Sequence, residues 1–249
     1  MKIVRYTTGR KNEYGILEGD TVQSIIGKPY PRIRTGANRH KLSDVRLLAP
    51  IIPSKIVAIG LNYRQHAEEV KMPLPSNPLI FLKPPSAIIG PEDNIIYPEA
   101  TKKLDYEGEL AVIIGKTATK VSVKEARGFI LGYTCLNDVS ARDFQGQGPW
   151  ARAKGYDTFA PIGPYIETDI DPDNAPLQTL LNGEVKQQSN TSDMIFTVDE
   201  LVSFVSRVMT LVPGDVLTTG TPSGIGHMQR GDTIEVSIAP IGTLRNYVV

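Results

Sequence analysis

One cysteine, three histidines and one tryptophan are all that 249 residues contain of those types. A single thiol, Cys135, cannot form an intramolecular disulfide, and its apolar flanks mark it as core; a reducing compartment suits such a chain. So few imidazoles and thiols leave little for a zinc site. An excess of charge of one sign is also missing, because 27 Lys and Arg face 27 Asp and Glu. That balance excludes the basic stripe of a nucleic-acid binder and the charge block of a disordered tail. No apolar run approaches the length of a bilayer span, and Met1-Lys2-Ile3-Val4-Arg5-Tyr6 turns polar too early for a signal peptide. No nucleophile elbow or Rossmann fingerprint occurs, and Gly220-Thr221-Pro222-Ser223-Gly224-Ile225-Gly226 lacks the ending of a phosphate-binding P-loop. These absences leave a soluble, cytoplasmic protein with no nucleic-acid or membrane partner.

What is plentiful is glycine and proline, 22 and 19 residues, as expected of strands and loops with few long helices. Residues 2–7, 13–17 and 21–26 read as a small three-stranded meander, which needs other structure to lean on. A proline-bearing connection then sets a boundary near residue 50, giving a small N-terminal β domain (1–50) and a main, catalytic body (51–249). Within the body, buried strands are expected at 55–60, 80–83, 110–114, 131–136 and 215–219, with closing strands at 232–238 and 243–249. Asn182-Gly183 predicts a tight hairpin. Ser122/Glu125 and Thr197/Glu200 form capping boxes, the second opening a helix striped by Leu201, Val205, Val208 and Val212. Residues 140–155 read as an irregular polar loop. The fold class is α+β and β-rich, with short helices and no regular βαβ alternation.

The stretch with most chemistry is Leu104-Asp105-Tyr106-Glu107-Gly108-Glu109-Leu110-Ala111-Val112-Ile113-Ile114-Gly115. Side chains two apart on a strand share a face, so Glu107 and Glu109 project together just before the buried run. Either the strand end leaves the core there with both carboxylates in water, or a divalent cation relieves their repulsion. Asp138 ends the strand at 131–136, 29 residues beyond Glu109; it is a third ligand or a turn aspartate bonding its own backbone. Three carboxylates suit Mg²⁺ or Mn²⁺. His66 and Glu69, three apart on a short helix, make a dyad able to activate water, or an incidental surface pair. Arg142 and Lys154 flank the loop after Asp138, placed either to hold a substrate carboxylate or enolate or simply in solvent. The Gly220–Gly226 loop can cradle a small anion with its N–H groups, helped by the Thr221 hydroxyl, or be an ordinary turn.

Taken together, the sequence resembles the fumarylacetoacetate hydrolase family in its short prokaryotic form, from about Ile56 to the C-terminus, some four-fifths of the chain. The carriers are Gly60-Leu61-Asn62-Tyr63 with His66 and Glu69, Phe81-Leu82-Lys83-Pro84, Asp105 to Leu110, Asn137 to Asp143, Lys154 to Pro164, Asn190 to Phe196 and Thr219-Gly220-Thr221-Pro222. The resemblance implies a mixed β-roll preceded by the small N-terminal meander, and a homodimer. It implies Glu107, Glu109 and Asp138 as ligands of Mg²⁺ or Mn²⁺, and His66/Glu69 as a dyad on a lid helix that orders with substrate. It also implies Lys154 as the active-site lysine, with Arg142, Gln145, Gly220 and Thr221 around the 2-oxo acid end of the substrate.

The resulting expectation is a metal-dependent enzyme acting on small 2-oxo or 2,4-dioxo acids. C–C hydrolysis of an acylpyruvate, through an enolate held by the metal and Lys154, ranks first because the dyad is present. Oxaloacetate decarboxylation and isomerisation of a 2-hydroxyhepta-2,4-diene-1,7-dioate are the alternatives that the same site supports. A metal-binding module without turnover would have no use for His66, Glu69 and Lys154 together, and a scaffold without metal would leave Glu107 and Glu109 repelling each other.

Overall fold

The computed structural model describes residues 1–249. Its frame is one large twisted sheet whose strands run, edge to edge, Thr35–Lys41, Thr21–Ile25, Asn12–Glu18, Lys2–Thr7, Ala160–Glu167, Ile130–Asn137, Gly108–Ile114, Val216–Thr218, Ile56–Gly60 and Leu79–Lys83. The N-terminal meander therefore joins the sheet of the main body: Lys2 and Ile3 pair antiparallel with Glu167 and Ile166. Two further strands missing from the sequence reading, Thr35–Lys41 and Arg46–Leu48, extend this region. A five-stranded sheet ends the chain, with Pro176–Leu181 and Glu184–Asn190 joined by a turn whose Asn182 and Gly183 both have positive φ, as the Asn-Gly pair predicts. No helix is long and apolar enough to cross a membrane.

Gly108–Ile114 is the strand on which the core is hung. Leu110, Val112 and Ile114 pack into one cluster of buried apolar side chains, while Ala111 and Ile113 pack into another. Burial on both faces explains why the run shows no apolar–polar alternation. Each fully buried Ile or Leu there contributes roughly 1.5–3 kcal/mol, enough to fix the strand's register.

Three expectations need correction. The Glu107/Glu109 stretch is not one strand. Leu104–Tyr106 belongs to a separate three-stranded sheet with Ser140–Ala141 and Gly226–Met228, and Glu107 sits at the break before Gly108–Ile114. Residues 140–155 are not wholly irregular either, since Arg142–Gln145 and Ala151–Lys154 each make one helical turn. Finally, the helix Val198–Val208 buries Val198, Leu201, Val202 and Val205, whereas Val208 is exposed and Val212 lies beyond its end. The backbone turns extended at Met209, so the stripe stops one turn earlier than periodicity alone suggests.

Candidate metal centre and its cavity

Two strand ends bring the three carboxylates together. In the antiparallel pair, Gly108 lies opposite Asn137 and Glu109 opposite Leu136. The next residues outward, Glu107 and Asp138, are held by the backbone: Asp138 N–H donates to Glu107 O at 2.8 Å, and Glu107 N–H donates to Asn137 Oδ1 at 2.9 Å. Glu107, Glu109 and Asp138 each place a carboxylate oxygen within 4.8 Å of the others, and all three are buried. Convergence thus comes from a strand break and a cross-strand contact, not from one continuous strand face.

Charge around them is compensated unevenly. Lys154 Nζ donates to Glu107 Oε2 at 2.8 Å and to Asp138 Oδ2 at 2.7 Å. Lys83 Nζ donates to Asp138 Oδ1 at 2.5 Å and to Val139 O at 3.2 Å. Arg142 pairs with Glu107 and Gln145 through its two terminal nitrogens, and its Nε donates to Asp105 Oδ2 at 2.7 Å. The other oxygen of Asp105 meets the half-exposed His227 ring. Glu109 has no cationic partner; a single N–H, from Gly220 at 3.0 Å, reaches its Oε2. Gly220 can come so close because its φ is +84° and a Cβ there would lie 2.9 Å from Asn62 Cβ.

The titration behaviour follows from this imbalance. Burial works to raise the Glu107 pKa, but the Lys154 and Arg142 cations outweigh it and bring the carboxyl down to about 2. For Glu109, burial and then the like charges of Asp138 and Glu107 act in the same direction, so its carboxyl is driven well above the usual range. Burial pulls the Lys83 ammonium down against the attraction of Asp138. For Lys154 burial also lowers, yet Asp138 and Glu107 prevail and raise it.

An ion fits this donor set. Three oxygens without thiolate or imidazole suit a hard, octahedral cation such as Mg²⁺ or Mn²⁺, and Glu109 is the carboxylate that lacks a positive partner. Filling the site with Mn²⁺ at about 100 times its Kd should therefore raise the melting temperature by roughly 5–10 °C. Glu109 keeps a proton in the folded protein at pH values where the unfolded chain has lost it. Metal-free stability consequently falls as pH rises through that range, and an ion must displace the proton to bind. The melting gain should be larger at pH 8 than at pH 5.5; a flat titration by scanning calorimetry at both would remove the metal assignment.

Of the three carboxylates, Glu107 lines a cavity of about 360 Å³ whose other polar lining is His66, Arg142, Gln145, Lys154 and Thr221. His66 is buried on the one-and-a-half-turn helix Arg64–Glu69, and its Nδ1 lies 2.7 Å from Glu69 Oε2. The other Glu69 oxygen accepts from Gly224 N–H at 2.9 Å, which ties this helix to the glycine loop. Thr221 Oγ1 donates to Gly108 O at 2.9 Å and accepts from Gln187 Nε2 at 2.8 Å, so its hydroxyl fastens that loop to the ligand strand. With its proton already used, an anion at this loop depends on the backbone N–H groups more than on the hydroxyl.

All ten residues singled out from sequence thus fall at or beside one cavity. Lys83, Asp105 and Gln187 bond to these residues without having been assigned a role. For Lys83 a signal exists, a lysine closing an otherwise apolar strand; Asp105 sits two residues before Glu107; Gln187 has no local signal.

Residues 55–249 match the family described as fumarylacetoacetate (FAA) hydrolase C-terminal, and residues 1–50 match an Rv2993c-like N-terminal family. Protein Rv2993c of Mycobacterium tuberculosis is 47% identical over 92% of this chain and 88% of its own length. The mitochondrial oxaloacetate tautomerase FAHD2A of Bos taurus is 42% identical over 83% of this chain and 70% of its own. Among solved structures, a 5-carboxymethyl-2-hydroxymuconate delta-isomerase from Mycobacterium smegmatis superposes with a TM-score of 0.95 at 44% identity, covering 100% of this chain and 99% of that one. A maleylpyruvate hydrolase from Sphingobium sp. SYK-6, in complex with manganese(II) and pyruvate, gives a TM-score of 0.83 at 30% identity, again over 100% and 99%.

Proposed function

This chain belongs to the fumarylacetoacetate hydrolase family, and from that membership we propose that it is a divalent-metal-dependent hydrolase cleaving the C–C bond of an acylpyruvate-type 2,4-dioxo acid. The observation that carries this reading is that a buried acidic triad and a His66–Glu69 dyad reach one cavity, through Glu107 and through His66. A divalent ion at Glu107, Glu109 and Asp138 would polarise the substrate's 2-oxo group as a Lewis acid.

The remaining work falls to the chain's own groups. Glu69 engages His66 Nδ1, leaving Nε2 to accept a proton from water. The water oxygen bonds to the distal carbonyl carbon, the bond from that carbon to C3 breaks, and its electron pair passes into the pyruvyl fragment as an enolate, which takes up a proton at C3. Lys154, held in place by Glu107 and Asp138, offers fixed positive charge beside the fragment that becomes anionic. Arg142 and Gln145 face the cavity where the substrate carboxylate would lie.

A second reading is supported by the 42% identity with the bovine oxaloacetate tautomerase and by the isomerase among the structural neighbours. Proton transfer, decarboxylation or isomerisation of a 2-oxo acid needs the same charge stabilisation but no attacking water. The test is a parallel rate assay with acetylpyruvate and with oxaloacetate, each with Mg²⁺, Mn²⁺ or chelator. The hydrolase reading expects metal-dependent acetylpyruvate cleavage at least tenfold faster than oxaloacetate loss. The reverse order transfers the function to oxaloacetate chemistry.

A further inference from the structure

The cavity has a polar end and an apolar end, and its one tryptophan marks the passage between them. Lys154 Nζ lies 5.4 Å from the centre of the Phe81 ring. Trp150 meets Phe81 edge-on at 5.1 Å between centroids. Beyond it, Trp150 and Leu79 close around Gly60, where even a Cβ would lie 2.8 Å from the indole and 3.0 Å from Leu79 Cδ2. Met72 and Leu74, each more than half exposed, continue the same lining toward the mouth. The lysine and arginine that line the cavity, Lys154 and Arg142, are both bound to carboxylates at the metal end. Nothing cationic lines the far end to receive a second carboxylate, and burying an unpaired one is costly.

Resting on the reading of the metal end as a 2-oxo acid site, we infer that the substrate is a monocarboxylate whose tail is uncharged and apolar and lies along Phe81, Trp150 and Leu79. The cavity volume, in the range that takes molecules larger than a four-carbon acid, is used by an acyl or aryl tail several carbons long. Gly60 lets the indole and Leu79 close in on its strand, which sets the wall against which that tail lies.

Because Trp150 is the only tryptophan, its fluorescence reports occupancy of the tail end independently of turnover. The Mg²⁺-loaded full-length protein is titrated with pyruvate, 2-oxohexanoate, 4-phenyl-2-oxobutanoate and 2-oxoadipate, following Trp150 emission and, in parallel, heat. The expected result is binding of 2-oxohexanoate at least tenfold tighter than of pyruvate or of 2-oxoadipate, with Trp150 emission changing for the apolar tails and not for pyruvate. In Leu79→Arg, a substitution at an exposed edge-strand position, the preference for 2-oxohexanoate over 2-oxoadipate should shrink or reverse. Binding of 2-oxoadipate as tight as 2-oxohexanoate, or a Leu79→Arg variant with unchanged preference, overturns the tail assignment while leaving the metal end intact. Failure of pyruvate and every longer acid to bind overturns the metal-end reading, and the tail assignment with it.

Discussion

Replacing Glu109 by alanine is expected to abolish Mn²⁺ and Mg²⁺ binding and to lower kcat/KM by at least about a thousandfold, a loss of roughly 4 kcal/mol in transition-state stabilisation. Glu109 is the member of the triad without a cation beside it, held by one N–H from Gly220, so it has most to gain from an ion and least other work in the fold. Alanine leaves that N–H without its acceptor. Glu109→Gln is the cleaner companion, since its amide oxygen still accepts from Gly220 while the charge is gone. Without metal, this variant should melt at or above the wild-type temperature at pH 8, because a buried carboxylate crowded by Glu107 and Asp138 has been neutralised. Added Mn²⁺ should then change nothing. Titration calorimetry with Mn²⁺ and a melting curve on the same sample check both halves, and metal-dependent turnover at the wild-type rate in either variant would end the assignment of Glu109 as a ligand.

His66→Ala should cost about 10²–10⁴-fold in acylpyruvate hydrolysis and less than about tenfold in oxaloacetate decarboxylation, where no water is activated. The split is the informative quantity. His66 and Glu69 are 2.7 Å apart, and Glu69 also accepts from Gly224 N–H, so removing the imidazole leaves the helix tied down through Glu69. A change in helix docking would lower both rates together. Steady-state kinetics on the two substrates, run on wild type and on His66→Ala, decide it: equal losses would refute the role of His66 as a base toward water.

Much of the frame was legible in short-range patterns. The unalternating run Leu110–Ile114, the capping boxes at Ser122/Glu125 and Thr197/Glu200, and the Asn182-Gly183 turn each express a local physical preference that tertiary packing did not override. Glu107 and Glu109 were placed together for a reason that does not hold. Period-two geometry requires one strand, whereas the backbone leaves one sheet at Tyr106 and enters another at Gly108. The carboxylates still meet, because the Asn137 side chain and the Asp138 N–H fasten Glu107 from across the strand. Partners far apart in the chain leave no such local trace. Lys83 reaches Asp138 across 55 residues and Gln187 reaches Gly108 across 79, so their pairing is visible only once the sheets are assembled. The single-turn helices Arg142–Gln145 and Ala151–Lys154 are too short for any periodicity to register.

The reactive centre and the tail end are built on different footings. Glu107, Glu109 and Asp138 are pinned by ladders of paired backbone and by a core on both faces of one strand. At the apolar end Leu79 and Phe81 belong to the edge strand, but Met72 and Leu74 sit on the connection between a short helix and that strand, and Trp150 just ahead of a single helical turn. Substitutions in such connections disturb few sheet bonds, so they drift more freely than the strands they join. The apolar end can therefore be reshaped at its loop positions without disturbing the strands that carry the three carboxylates.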